Sequence, residues 1–134
     1  MVKIISIDTP GMGLHEITSD VAKIVRASQK PEGICTIFVR HTSASIIIQE
    51  NADPTAKRDL EKWLNRLIPE NDPIYTHTLE GADDMPAHIK ATLTATSITI
   101  PILDSELTLG TWQGIYLWEH RKRPHRREVA VAII

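Results

Sequence analysis

Two hydrophobic periods share the chain. Residues 2–8, 34–40, 44–48, 97–103, 115–119 and 128–134 are short runs rich in β-branched and aromatic side chains, the pattern of strands. Thr108-Leu109 reads as one more short strand. Elsewhere the apolar positions recur at helical spacing. Behind Thr18 or Ser19 as an N-cap, Val21, Ile24 and Val25 fall on one face, and Pro31 closes the segment. The clearest helix runs from Pro54 to about Leu67. Asp53 caps it, Pro54 suits its first turn, and Leu60, Trp63, Leu64 and Leu67 form a stripe expected to be core. A short helical segment begins near Asp84-Met85-Pro86 and carries His88. About seven strands and two or three helices, without regular alternation, predict an α+β fold: a folded antiparallel or mixed sheet with helices on one side.

Length adds that one domain, residues 1–134, accounts for the chain. The formal net charge of −2 gives no whole-chain attraction to nucleic acid or to an anionic membrane. A single cysteine, Cys35, excludes a disulfide framework. No apolar run approaches the roughly 20 residues a bilayer demands, and Asp8 interrupts the first apolar stretch before it resembles a signal peptide. A reducing cytoplasm is the expected compartment. Gly11-Met12-Gly13 reads as a turn, because it lacks the third glycine of a dinucleotide fingerprint.

Three polar clusters stand against this scaffold. The first, His41-Thr42-Ser43-Ala44-Ser45, joins two apolar strands and ends in Gln49-Glu50-Asn51. Nothing in it has the form of a nucleophile elbow. The second, residues 77–88, holds His77, His88, Glu80, Asp83 and Asp84; imidazole nitrogen and carboxylate oxygen are the donors zinc prefers. Its spacing fits no closed structural zinc motif, and an acidic helix cap between surface histidines is the plain alternative. The third runs from Gly110-Thr111-Trp112-Gln113-Gly114 to Glu119-His120-Arg121. Strand alternation there puts Tyr116, Trp118 and His120 on one face. Five of the fifteen Lys and Arg residues then follow within 121–127, a solvated run or a phosphate cradle.

The stretches beginning at His41, the segment from Glu80 to Lys90 and the segment from Gly110 to Arg121 closely resemble the YjbQ family, over nearly the whole chain. The resemblance implies a jelly-roll-like sandwich, a homotrimer, and a weak secondary thiamine-phosphate synthase activity that joins an aminopyrimidine diphosphate to a thiazole phosphate. The family's recurrent polar positions fall on His15, His41, Glu50, Asn51, His77, Glu80, Asp83, Asp84, His88, Gln113, His120 and Arg121. Two departures are Asp104-Ser105-Glu106, where the family often has a glycine, and Pro124 in the basic loop.

The expectation is an enzyme acting on a phosphorylated small molecule. His41, His77, Asp84, His88 and His120 are its candidate catalytic groups. His41, His77 and His88 are candidate ligands for a divalent metal, zinc, or magnesium with a diphosphate substrate. Gln113, Arg121, Arg126 and Arg127 are candidates for holding phosphate. The alternatives are a non-catalytic anion- or RNA-binding module and a structural trimer with a histidine-lined metal site. Low aromatic content and the acidic balance count against nucleic acid, and no membrane partner is expected.

Overall fold

The computed structural model describes residues 1–134. Eight strands form two antiparallel sheets. The larger holds β1 (Val2–Thr9), β8 (His125–Ile133), β3 (Glu32–Val39), β5 (Ser97–Leu103) and β6 (Glu106–Leu107), in that spatial order. The smaller places β7 (Gln113–Glu119) between β2 (Gly13–Glu16) and β4 (Ala44–Glu50). Every ladder is antiparallel, so the mixed-sheet alternative is excluded. The inward residues of alternating strands meet in one core that includes Cys35, Ile37, Val39, Ile46, Ile115, Leu117, Val129 and Val131.

Three helices complete the fold. The α1 helix (Thr18–Ser28) sends Val21, Ile24 and Val25 into that core. Its first residue is not the expected cap: Ile17 occupies the cap position without a side-chain bond. The Thr18 hydroxyl instead accepts the Ile115 amide and donates to Glu16, tying the helix to β7. The α2 helix (Pro54–Leu67) begins as its sequence dictates, with the Asp53 carboxylate accepting the Thr55 amide. With α3 (Asp84–Leu93) it lies over the outer face of the small sheet, where Leu64, Ile68, Leu14, Tyr116 and Trp118 make a second apolar cluster. β7 is therefore buried on both faces.

Four expectations need correction. Only Leu64 of the α2 stripe is buried, while Trp63 and Leu67 remain about half exposed at 52% and 53%, because α2 covers a sheet only three strands wide. Gly13–Glu16 is a strand, and the pair expected at Thr108-Leu109 lies at Glu106–Leu107. Asp104 and Ser105, the departure from the family's frequent glycine, themselves adopt φ of 52° and 62° and make the left-handed hairpin turn. The apolar terminal run 129–134, expected to present an edge that a trimer would shield, instead lies through Ile133 in the interior strand β8, flanked by β1 and β3.

Candidate functional site

His77 sits in the irregular stretch before α3, and Asp84 and His88 lie one turn apart on α3 itself. Their ligand atoms all fall within 4.8 Å of one another. One oxygen, Asp84 Oδ2, lies 2.6 Å from His77 Nε2 and 3.2 Å from His88 Nε2. Asp84 is 2% exposed and occupies the first helical turn, where unpaired amides favour a carboxylate. Its other oxygen accepts Nη1 of Arg121 at 2.6 Å. Burial alone would push the Asp84 carboxyl up, but His77, Arg121 and His88 outweigh it and hold the group below its usual range.

The ring of His88 has a fixed direction. Its Nδ1 lies 2.9 Å from the Thr42 carbonyl, which can only accept, so Nδ1 carries a hydrogen. In the neutral ring, Nε2 then presents a lone pair to the Asp84 carboxylate. Two acceptors facing each other at this distance call for a cation between them or a second proton on the ring.

The other expected site residues are dispersed. His41 lines a shallow groove with His88, but its Nε2 accepts the Glu128 amide at 2.7 Å, so it does not join the cluster. Burial first, then Arg127, lowers its basicity. His120 does share a face with Trp118, their rings 5.5 Å apart, yet it is 1% exposed and bonded to the Ser45 hydroxyl. Burial, reinforced by Lys90, lowers it to about 3 and keeps it neutral. Its Nδ1 is buried without a partner. Gln113 lies at the opposite end of β7, about 20 Å away by strand rise, where its side chain accepts the Gly110 amide.

The basic run does not form one cradle. Because His125, Arg126 and Arg127 belong to β8, alternation sends Arg126 outward beside Asp8 and Arg127 inward. Arg127 forks onto buried Glu119, which also accepts the Thr9 hydroxyl and the Arg121 amide. These contacts hold the Glu119 carboxyl below its usual range against the upward push of burial. Arg121 is spent on Asp83, Asp84 and the Glu80 carbonyl at 3.0, 2.6 and 2.9 Å. It braces the cluster and leaves no free fork for phosphate. Asp83 in turn accepts the Lys122 amide, closing the turn at Gly81, whose φ is +107°. A cleft of about 350 Å³ opens beside His77, lined by Asn71, Pro73, Tyr75, Gly81 and Met85.

The family described as UPF0047 protein YjbQ-like matches residues 3–134. This chain belongs to the YjbQ/UPF0047 family. A UPF0047 protein of Synechocystis is 53% identical over 131 residues, covering 98% of this chain and 89% of that protein. YjbQ of Escherichia coli O157:H7 is 35% identical, with 98% and 95% covered. Among solved structures, an uncharacterized YjbQ/UPF0047 protein of Clostridium acetobutylicum superposes with a TM-score of 0.90 at 40% identity, covering 98% and 99%. A conserved hypothetical protein of Thermus thermophilus gives 0.87 at 33%, with the same coverage. The expected YjbQ sandwich is thereby established, and these descriptions name no reaction.

Within this YjbQ-family scaffold, two site features escaped the sequence reading. The Thr42 carbonyl that orients His88 is backbone, invisible in residue identities. Lys90 is buried beneath α3. Its signal was available, since Lys90 falls three residues after Ala87 on the inward helical stripe. No helix is long and apolar enough to cross a membrane.

Proposed function

We propose that His77, Asp84 and His88 hold a divalent cation and that the chain uses it to act on a phosphorylated small molecule. The observation that carries this reading is the orientation of His88, whose hydrogen on Nδ1 turns the Nε2 lone pair toward Asp84 and His77. Two imidazoles and one carboxylate with an open side suit zinc with a free coordination position. They suit magnesium poorly, since that ion prefers oxygen ligands. His41 drops out of the ligand set in favour of Asp84.

The chain's own residues divide the work. Asp84, clamped by Arg121, supplies the fixed oxygen, and the Thr42 carbonyl and Asp84 together lock the ring of His88. His77, about half exposed, stands where the neighbouring cleft meets the cluster, so a substrate in that cleft would lie beside the cation that His77 helps to hold. A bound cation would supply Lewis-acid stabilisation of phosphate oxygens. That role matters because Arg121 and Arg127 are already paired, so the substrate's negative charge needs another partner.

The family resemblance makes thiamine phosphate formation from an aminopyrimidine diphosphate and a thiazole phosphate the first reaction to assay. Diphosphate release is followed with zinc or magnesium for wild type, Asp84→Asn and His88→Ala. The reading expects both variants to lose activity at least a hundredfold while His41→Ala retains more. Equal rates in all of them would overturn it.

We also propose a homotrimer. The outer face of the five-stranded sheet leaves Val2, Ile4, Ile34, Phe38 and Leu103 each about half or more exposed, an apolar surface that a second copy would cover. Light scattering should give three times the chain mass; a monomer at micromolar concentration would contradict it.

A further inference from the structure

One buried charge has no carboxylate in direct contact, and Glu70 and Asp83 act on it only from a distance. Lys90 is 3% exposed, and residues 88 and 90 point about 200° apart around a helix. Lys90 thus faces α2 and β2, away from the cluster that His88 joins. Its Nζ donates to Asn65 Oδ1 at 2.6 Å, and the next partner is the Met12 thioether sulfur at 3.9 Å. It forms no ion pair; the neighbouring lysine, Lys122, takes Glu70 at 2.6 Å. An ammonium has three hydrogens to donate, and a buried one is strongly destabilising unless they are answered. One amide oxygen and a sulfur do not answer them.

A pocket of about 230 Å³ opens onto this group, lined by Met12, Asn65, Ile68, Glu70, Lys90 and Lys122. It carries two ammonium groups and one carboxylate. The carboxylate, Glu70, is 29% exposed and paired with Lys122, so an incoming anion would take its place on that ammonium group. The volume is below that of ordinary drug-sized sites, so it suits a single small group.

We infer that this pocket binds a small oxyanion, phosphate or carboxylate, between Lys90 and Lys122. Its oxygens take the hydrogens that Asn65 leaves free, and Lys122 shares the charge from the mouth. The site lies behind α3 and stands independently of any cation at His77, Asp84 and His88.

The test uses the full chain, labelled at lysine Cε with carbon-13 and treated with chelator. It is titrated at constant ionic strength with inorganic phosphate and, separately, with acetate. A saturable shift of the Lys90 and Lys122 signals, with one shared dissociation constant, is expected; the anion that produces it identifies the source chemistry. Lys90→Met should weaken binding at least tenfold. Asn65→Asp, which sets a carboxylate against Nζ, should do the same while preserving the fold, and it decides the matter alone if Lys90→Met fails to fold. No saturable shift with either anion, as for a pocket holding only solvent, overturns the inference. So does unchanged affinity in Asn65→Asp.

Discussion

Replacing His120 by phenylalanine should reverse the order of stability between variant and wild type as the solution becomes acidic. The ring is 1% exposed, and burial, with Lys90 adding to it, lowers it from 6.5 to about 3. Between those values the unfolded chain binds a proton that the folded chain refuses, so native stability falls as pH drops below 6.5. Each pH unit removes about 1.4 kcal/mol, or about 2 kcal/mol by pH 5. Phenylalanine has no such penalty. It does orphan the fully buried Ser45 hydroxyl, at about 1–3 kcal/mol, but it also removes the unpartnered Nδ1. The variant should therefore begin about 1 kcal/mol less stable at neutral pH, match wild type near pH 6, and exceed it by about 1 kcal/mol at pH 5. His41, Asp83, Asp84 and Glu119 titrate in both proteins and cancel in the difference. Urea unfolding at fixed protein concentration reads the gap directly. A gap independent of pH would mean that the folded ring takes up the proton, and the reasoning would fail.

Arg121→Lys keeps the charge but loses the fork that joins Asp83, Asp84 and the Glu80 carbonyl. Zinc affinity by calorimetry should fall about 10–100-fold with the fold intact; unchanged affinity would remove the bracing role. Cys35 is fully buried and burial pushes its thiol up to about 11, so a thiol reagent should react only on unfolding, and prompt labelling of the native protein would contradict the packing. Ser105→Gly relieves a left-handed residue at φ 62° and should raise stability by about 1 kcal/mol, read as a shift in denaturation midpoint. A lower midpoint would show that the serine side chain holds the turn.

What the sequence disclosed follows the range of the interactions involved. Asp53-Pro54 start α2 through contacts two residues apart, and Val21, Ile24 and Val25 are apolar enough to be core in any helix. His77 and His88 were legible together because a short segment carries both, with Asp84 between them. Arg121 was not legible as their brace, since it reaches Asp84 across 37 residues and its charge suggests phosphate equally well. The splitting of Arg126 from Arg127 needed the start of β8 at His125, set by its pairing with Thr9. Likewise, the α2 stripe told which face turns inward, but only the width of the sheet beneath decides that Trp63 stays wet.

The central claim is that His77, Asp84 and His88 hold a metal, and elemental analysis of untagged protein purified without added metal measures it most directly. Wild type should carry close to one zinc per chain, His41→Ala the same, and Asp84→Asn and His88→Ala less than a tenth of it. Wild type without bound metal and with no thermal shift on adding zinc would contradict the account.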